Sequence, residues 1–256
     1  MMRKIEKYIN DELKKKGALF FGVIDPMDYE NLESCVNTAK KTADAGADII
    51  LLGGSIGVQG EILDNVTKQI KEKTSTPVVL FPGNIGTVTP YADAMYFMSL
   101  LNSRNAYWIS QAQTLAAPMI KKYNIETIPV GYLIVEPGGT AGWVGDVNLI
   151  PRSRPKIAAG LAMAAELSGS TMVITDTGSN PETGHVPLDM IQIVSKSIEV
   201  PYVVAGGIKT PEQAKNVIKA GADIIQVGTG LENSKDIEGY VKKMINSVRE
   251  EGKKRV

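Results

Sequence analysis

Three glycine-rich stretches late in the chain carry residue types suited to chemistry. They are Asp176-Thr177-Gly178-Ser179-Asn180, Gly206-Gly207-Ile208 and Gly228-Thr229-Gly230. Glycine lets backbone N–H groups approach an anion closely, and a helix that follows turns its positive end to the same place. Such stretches suit a phosphate or a plain tight turn, and three in succession favour the phosphate. Early in the chain, Asp25 and Ser55 offer a carboxylate and a hydroxyl. That pair suits Mg2+, which takes one or two protein oxygens and leaves the rest to water and phosphate. Asp25 also opens the sequence DPMD, so it reads equally as a helix N-cap. Glu136 and Asp176 are acids placed where a general base is wanted. His185 is the only histidine and Cys35 the only cysteine. A histidine-dependent triad, a multi-histidine metal site, a disulfide and a cysteine cluster are therefore excluded. No lysine falls within an apolar run, which argues against a Schiff-base aldolase.

These residues follow apolar runs that must position them. The runs are 18–25, 48–54, 77–83, 94–101, 126–137, 171–178, 201–208 and 223–230. They are short, rich in Val and Ile and almost continuously apolar, as strands buried on both faces are. Segments of helical spacing lie between most of them. In TPEQAKNVIKAGA, Thr210 is the predicted N-cap, Pro211 the first helical residue, Glu212 lies in the first turn and Gly221 is the stop. Eight repeats of strand and helix predict a (β/α)8 barrel, one domain over residues 1–256. An open doubly wound sheet is the runner-up, weakened because no GxGxxG follows the first run. In such a barrel the active site lies at the C-terminal strand ends, with phosphate after strands seven and eight. The hexapeptide AGADII occurs at 45–50 and 220–225. It reads as helix end, turn and strand entry for strands two and eight; one shared hexapeptide does not establish a duplication.

Only NIGTVTPYAD separates run three from run four. A crossover helix needs about a dozen residues or more, so the outer helix between strands three and four is predicted to be missing. The uncovered apolar flank then calls for another chain, another segment or a long apolar ligand. Cys35 is expected on the buried face of a helix. Aromatic and Met-rich segments such as MYFMSLL and AYWISQ read as core by default. Lys+Arg and Asp+Glu are equal at 28 each, which leaves no electrostatic footprint for nucleic acid. The opening segment is charged and amphipathic, and no stretch reaches the roughly 18 apolar residues of a membrane span. A cytoplasmic protein is expected, and association into a homo-oligomer over the uncovered flank.

Compared at its strand ends, the chain resembles the geranylgeranylglyceryl phosphate synthases, archaeal prenyltransferases related to bacterial heptaprenylglyceryl phosphate synthases. The similarity runs over nearly the whole length. FFGVIDPMD resembles the family's first strand with its Mg2+ aspartate, here Asp25, and LLGGS its second Mg2+ position, here Ser55. YLIVEPGGTAGWVGD (132–146) is similar to a stretch found in one of two family groups. The family's glycerol-phosphate motif Tyr-Leu-Glu-Ala-Gly-Ser-Gly falls on Ile174, Thr175, Asp176, Thr177, Gly178, Ser179 and Asn180, with Gly178 and Ser179 identical. Ile174 gives up a phenol, and Asp176 is one methylene shorter than the usual Glu. The second contact falls on Gly206 and Gly207. The third, usually Gly-Asn, falls on Gly228 and Thr229.

The resemblance implies a missing third outer helix and a prenyl groove along the flank. It implies attack of the 3-hydroxyl of sn-glycerol 1-phosphate on C1 of geranylgeranyl diphosphate, with Mg2+ as cofactor. Asp25 and Asp176 are the implied catalytic residues, and AMYFMSLL and ALFFG the expected groove. A lipid product implies a peripheral contact with a membrane surface. A phosphosugar isomerase or lyase explains the phosphate site equally well but not the missing helix. A non-catalytic phosphate binder leaves Asp25 and Ser55 without a task.

Overall fold

In the computed structural model, which describes residues 3–54, 56–232 and 234–256, all eight apolar runs become parallel strands of one closed barrel. They are β1 (Leu19–Ile24), β2 (Ile49–Gly53), β3 (Val78–Phe81), β4 (Ala94–Leu100), β5 (Glu126–Ile134), β6 (Met172–Asp176), β7 (Tyr202–Ala205) and β8 (Ile224–Val227). Ser55 lies outside the described residues. Alternation along each strand divides the core in two. Leu19, Phe21, Ile49, Leu51, Val79, Tyr96, Ile174, Val203 and Ile224 fill the barrel interior. Phe20, Ile50, Leu80, Val173, Val204 and Ile225 pack outward against the helices.

The outer layer consists of α2 (Leu32–Asp44), α3 (Gly60–Lys73), α4 (Ala112–Tyr123), α6 (Pro155–Leu167), α7 (Leu188–Ser195), α8 (Pro211–Ala220) and α10 (Ile237–Gly252), with shorter α5 (Gly139–Val144) and α9 (Thr229–Glu232). The helix expected over 210–221 forms as predicted. Thr210 accepts from the Gln213 N–H, Gln213 answers to the Thr210 N–H, and Gly221 ends the helix at φ +124°. Cys35 is buried on α2. The first helix, α1 (Lys4–Lys16), plugs the barrel floor with Ile5 and Ile9. Glu126, at the start of β5, accepts from the Ile5 and Glu6 N–H groups, two donors left free by the helix start. No helix among the described residues is long and apolar enough to cross a membrane.

No helix joins β3 to β4, as the short connection predicts. The seam between them is also short: only Val79 with Ala94 and Leu80 with Met95 stand in register. On its other edge β4 pairs with β5 from Ala94–Glu126 through to Leu100–Tyr132. Below the seam, Asp93 closes it by accepting from the Val78 N–H while its own N–H donates to the Val78 carbonyl.

The AGADII repeat carries the same clamp. Asp48 accepts from the Phe20 N–H and donates its own N–H to the Phe20 carbonyl. Asp223 does the same with Tyr202. The Ala-Asp pair is thus more than a turn: its carboxylate fastens each strand to the one before it. Each clamp has a cation. Asp48 meets Arg249 at 2.6 Å and Lys16 at 2.7 Å, Asp93 meets Lys71 at 2.6 Å, and Asp223 meets Arg255 at 3.3 Å.

Candidate active site

The C-terminal strand ends surround a cavity of about 230 Å³ that continues down the flank beside β4. Its rim after β6–β8 is built from Gly178, Ser179, Asn180, Gly206, Gly207, Gly228 and Thr229. The backbone there is tightly folded. Gly206 and Gly207 adopt φ +79° and +69°. A Cβ on Gly206 would stand 2.7 Å from Asp176 Oδ1, and one on Gly207 2.4 Å from the carbonyl carbon of Gly184. Only glycine fits both, and the result is a rim of exposed main chain leading into α8. That is the arrangement of an anion cradle.

Asp176 closes β6 beneath this rim and is 7% exposed. Its Oδ1 accepts from the Gly178 N–H at 2.7 Å and its Oδ2 from the Tyr132 hydroxyl at 2.7 Å. Burial raises the carboxyl above its ordinary range, and these two hydrogen bonds oppose the rise. Burial, with Asp176 alongside, holds the Tyr132 phenol well above its usual value. Of the seven-residue motif, Asp176, Gly178, Ser179 and Asn180 line the cavity and Ile174, Thr175 and Thr177 do not. Ile174 faces the barrel interior one inward step lower, in an apolar row with Val203 and Ile224. Thr175 shares a hydrogen bond with the Tyr202 hydroxyl at 2.7 Å, and Thr177 is fully buried. Glu136 is exposed, outside the cavity, and accepts from the Arg152 N–H. This leaves Asp176 as the base candidate.

Across the mouth, Asp25 combines both of its sequence readings. Its Oδ1 caps a 3-10 turn, Pro26–Asp28, by accepting from the Met27 N–H at 3.1 Å, yet the residue also lines the cavity. Burial pushes its carboxyl up to about 6, and nearby Asp28 adds to the rise. Glu232 on α9 lines the same wall and is pushed up to about 7, by burial first and then by Asp28 and Asp25. The only cation lining the cavity among the described residues is Lys209. No group of three or more His, Cys, Asp or Glu among them is arranged to hold a metal. Asp25 would therefore contribute one carboxylate of a largely water- and ligand-filled shell, which is what Mg2+ accepts.

The flank is apolar. Met95, Phe97, Met98, Trp108, Ala116 and Ile120 line it between β4 and α4. A π-turn at Tyr107–Gln111 carries Trp108. Gln113 holds that turn against β4 by donating to the Met98 and Trp108 carbonyls. AMYFMSLL thus lines the groove as expected, but ALFFG does not. Leu19, Phe20 and Phe21 are fully buried core, because Leu19 and Phe21 pack in the barrel interior and Phe20 outward against the helices; only Val23 reaches the cavity from that strand. Sequence reasoning missed Tyr132, Gln226, Glu232 and Lys209. A polar residue inside an otherwise apolar strand run, as in DIIQVG and VGYLIV, was the available signal for the first two.

The chain matches the PcrB family over residues 11–250. It is 49% identical to the geranylgeranylglyceryl phosphate synthase of Thermococcus sibiricus, over 96% of this chain and 97% of that protein. With the enzyme of the same name from Pyrococcus horikoshii the identity is 48%, over 96% and 95%. Among solved structures, (S)-3-O-geranylgeranylglyceryl phosphate synthase from Thermoplasma acidophilum, in complex with its substrate sn-glycerol-1-phosphate, superposes with a TM-score of 0.91 at 35% identity, covering 98% of this chain and all of that one.

Proposed function

We propose that this chain, which belongs to the PcrB family, is a prenyltransferase that joins the 3-hydroxyl of sn-glycerol 1-phosphate to C1 of geranylgeranyl diphosphate. The products are geranylgeranylglyceryl phosphate and diphosphate, an ether bond of an archaeal lipid. The observation that carries the reading is the shape of the cavity: one end is a glycine-lined anion cradle, the other an apolar groove under the helix-free seam. Two dissimilar substrates, one small and polar and one long and greasy, meet between them. The relatives named for this activity cover almost the whole chain. A phosphosugar isomerase or lyase has no use for the groove.

The chain's own residues then divide the work. The backbone of Gly178, Gly206, Gly207 and Gly228 holds the acceptor phosphate, with the start of α8 adding its positive end. Asp176, buried and kept basic by its raised proton affinity, accepts the proton as the hydroxyl oxygen bonds to C1 and the C1–diphosphate bond breaks. Phe97, Met98, Trp108 and Ile120 hold the prenyl chain out of water, so that no solvent molecule intercepts the electron-poor allylic carbon. Lys209 stands at the mouth as a counter-charge to phosphate. Asp25 fits a Mg2+ site: its carboxylate is half-buried, has no ion-pair partner among the described residues, and is hard oxygen chemistry. When bound there, the ion supplies neutralisation of negative charge on the diphosphate oxygens. Ser55 remains the proposed second ligand from sequence alone.

The same reading sets the enzyme in the cytoplasm, in peripheral contact with the membrane that receives its product. Leu115, Met119 and Tyr123 form an exposed apolar stripe on α4, and self-association would cover it. The activity is tested by incubating the protein with Mg2+, labelled sn-glycerol 1-phosphate and geranylgeranyl diphosphate, then extracting with butanol. Label is expected in the organic phase; its absence there rejects the reading.

A further inference from the structure

Gln226 is the only amide side chain in the barrel-facing part of the cavity wall on β8. It is 3% exposed. Its Oε1 accepts from the Tyr96 hydroxyl at 3.1 Å, across the barrel from β4, and its Nε2 has no partner. Turning the amide over would only exchange the atoms, so one of them stands unpaired in either setting. Tyr96 has no other role for its hydroxyl: burial holds it protonated far above the usual phenol range. A buried polar group without a partner costs about 1–3 kcal/mol. Leucine or methionine here would remove the unpaired amide nitrogen but leave the buried Tyr96 hydroxyl without its partner; the neighbouring inward residues of β8 and β7 are apolar.

The register shows what the amide faces. Asp176 pairs with Ala205, and Ala205 pairs with Gln226. The three form one row of the barrel, all lining the cavity. Ala205 contributes only a methyl group, so the row is a notch with a carboxylate on one wall and an amide on the other. The walls are two strand spacings apart, about 10 Å between backbones. The glycine rim lies directly above. One step lower the row is wholly apolar, Ile174–Val203–Ile224, so no phenol at position 174 supplies a polar contact.

We infer that Gln226 positions the acceptor by hydrogen-bonding its secondary hydroxyl, at C2, while Asp176 faces the reacting hydroxyl at C3. This rests on the prenyltransferase reading. The assignment to C2 follows from the chemistry. A donor on the attacking oxygen would withdraw the lone pair needed for attack, whereas the C2 oxygen does not react. Gln226 is thus a specificity residue that distinguishes a vicinal hydroxyl phosphate from a simple alcohol phosphate.

The test compares two acceptors, sn-glycerol 1-phosphate and 3-hydroxypropyl phosphate, which lacks the C2 hydroxyl. It uses the native chain, Gln226→Met and Gln226→Leu. In Gln226→Met the KM for glycerol 1-phosphate is expected to rise about tenfold, equivalent to 1.4 kcal/mol, with kcat retained. The KM for 3-hydroxypropyl phosphate, already raised in the native protein, is expected to stay where it is. Equal changes for both acceptors, or none for either, overturn the inference. Calorimetric binding of each acceptor, without prenyl donor, separates this result from the parent reading. If the native protein binds glycerol 1-phosphate more tightly than the deoxy analogue and Gln226→Leu erases the difference, Gln226 stands even where no turnover is seen. If native binding does not distinguish them, the inference fails. A variant that melts early is replaced by the other; loss of folding in both would mark Gln226 as structural and also overturn it.

Discussion

The two ends of the barrel treat their acids in opposite ways. At the N-terminal end, Asp48, Asp93 and Asp223 each bind a strand N–H and each has a Lys or Arg at hand. At the C-terminal end, Asp25, Asp28, Asp176 and Glu232 share one cavity and none of them forms an ion pair among the described residues. Burial raises Asp25, Asp176 and Glu232 above their ordinary range; it raises Asp223 as well, but there Arg255 opposes the rise. Paired acids hold the scaffold closed; unpaired acids store a charge deficit that a substrate, a proton or a cation can meet. On the proposed function, the same residue type serves stability at one end and chemistry at the other because of what stands beside it.

This contrast can be broken by substitution at each end. The largest effect is expected on turnover from Asp176→Asn, which keeps the shape of the side chain but removes the base. Activity should fall about 10²- to 10⁴-fold, measured in the butanol-extraction assay, while the melting temperature stays near native. Asp48→Ala should do the reverse. It leaves Arg249 and Lys16 facing each other and the Phe20 N–H unpaired, at a cost of about 3–5 kcal/mol. Thermal melting should drop by roughly 10 °C or more, and protein that remains folded should keep its KM values. If Asp48→Ala lost activity without losing stability, the division between the two ends would be wrong.

Smaller effects sharpen the contrast. Gly207→Ala forces a Cβ against Gly184 at a positive φ, a strain of about 1–3 kcal/mol. The rim should shift, and calorimetry should show weaker binding of glycerol 1-phosphate, with the KM for the prenyl diphosphate unchanged. The smallest effect is on pH dependence. Asp25 and Glu232 have folded values of about 6 and about 7, above those of the unfolded chain. Between pH 4 and 7 the folded state therefore holds more of these protons, and their contribution to stability is lost as pH rises through 6 to 7. Without divalent cations the melting temperature should decline over that interval. Added Mg2+, which favours the ionised carboxylates, should flatten the decline; a decline that Mg2+ leaves untouched would count against Asp25 as its ligand.

Much of this could be read along the sequence because it is local. The strand runs, the cap at Thr210, the glycine rim and the missing helix all follow from residues near one another in the chain. The role of the Asp in AGADII was not local. Asp48 reaches Phe20 and Arg249, and Asp93 makes the same clamp outside any AGADII, so no hexapeptide announces it. The notch of Asp176, Ala205 and Gln226 depends on strand register, which is fixed only when the barrel closes. ALFFG, expected to line the groove, became core instead: Leu19 and Phe21 fill the barrel interior and Phe20 packs outward beneath the helices. Ile174, Thr175 and Thr177 were carried in by a contiguous motif, but a strand turns alternate residues away from the site, and one inward step lowers a residue out of reach.

The central claim is that the acids of the cavity mouth serve catalysis while the glycine rim serves acceptor binding. The most direct measurement is the pairing of turnover and glycerol 1-phosphate binding in Asp25→Ala. We predict that prenyl transfer is lost, by about 10³-fold, a barrier of several kcal/mol, while calorimetric affinity for glycerol 1-phosphate stays within a factor of two or so of native, less than about 0.5 kcal/mol. Equal loss of both would contradict the account.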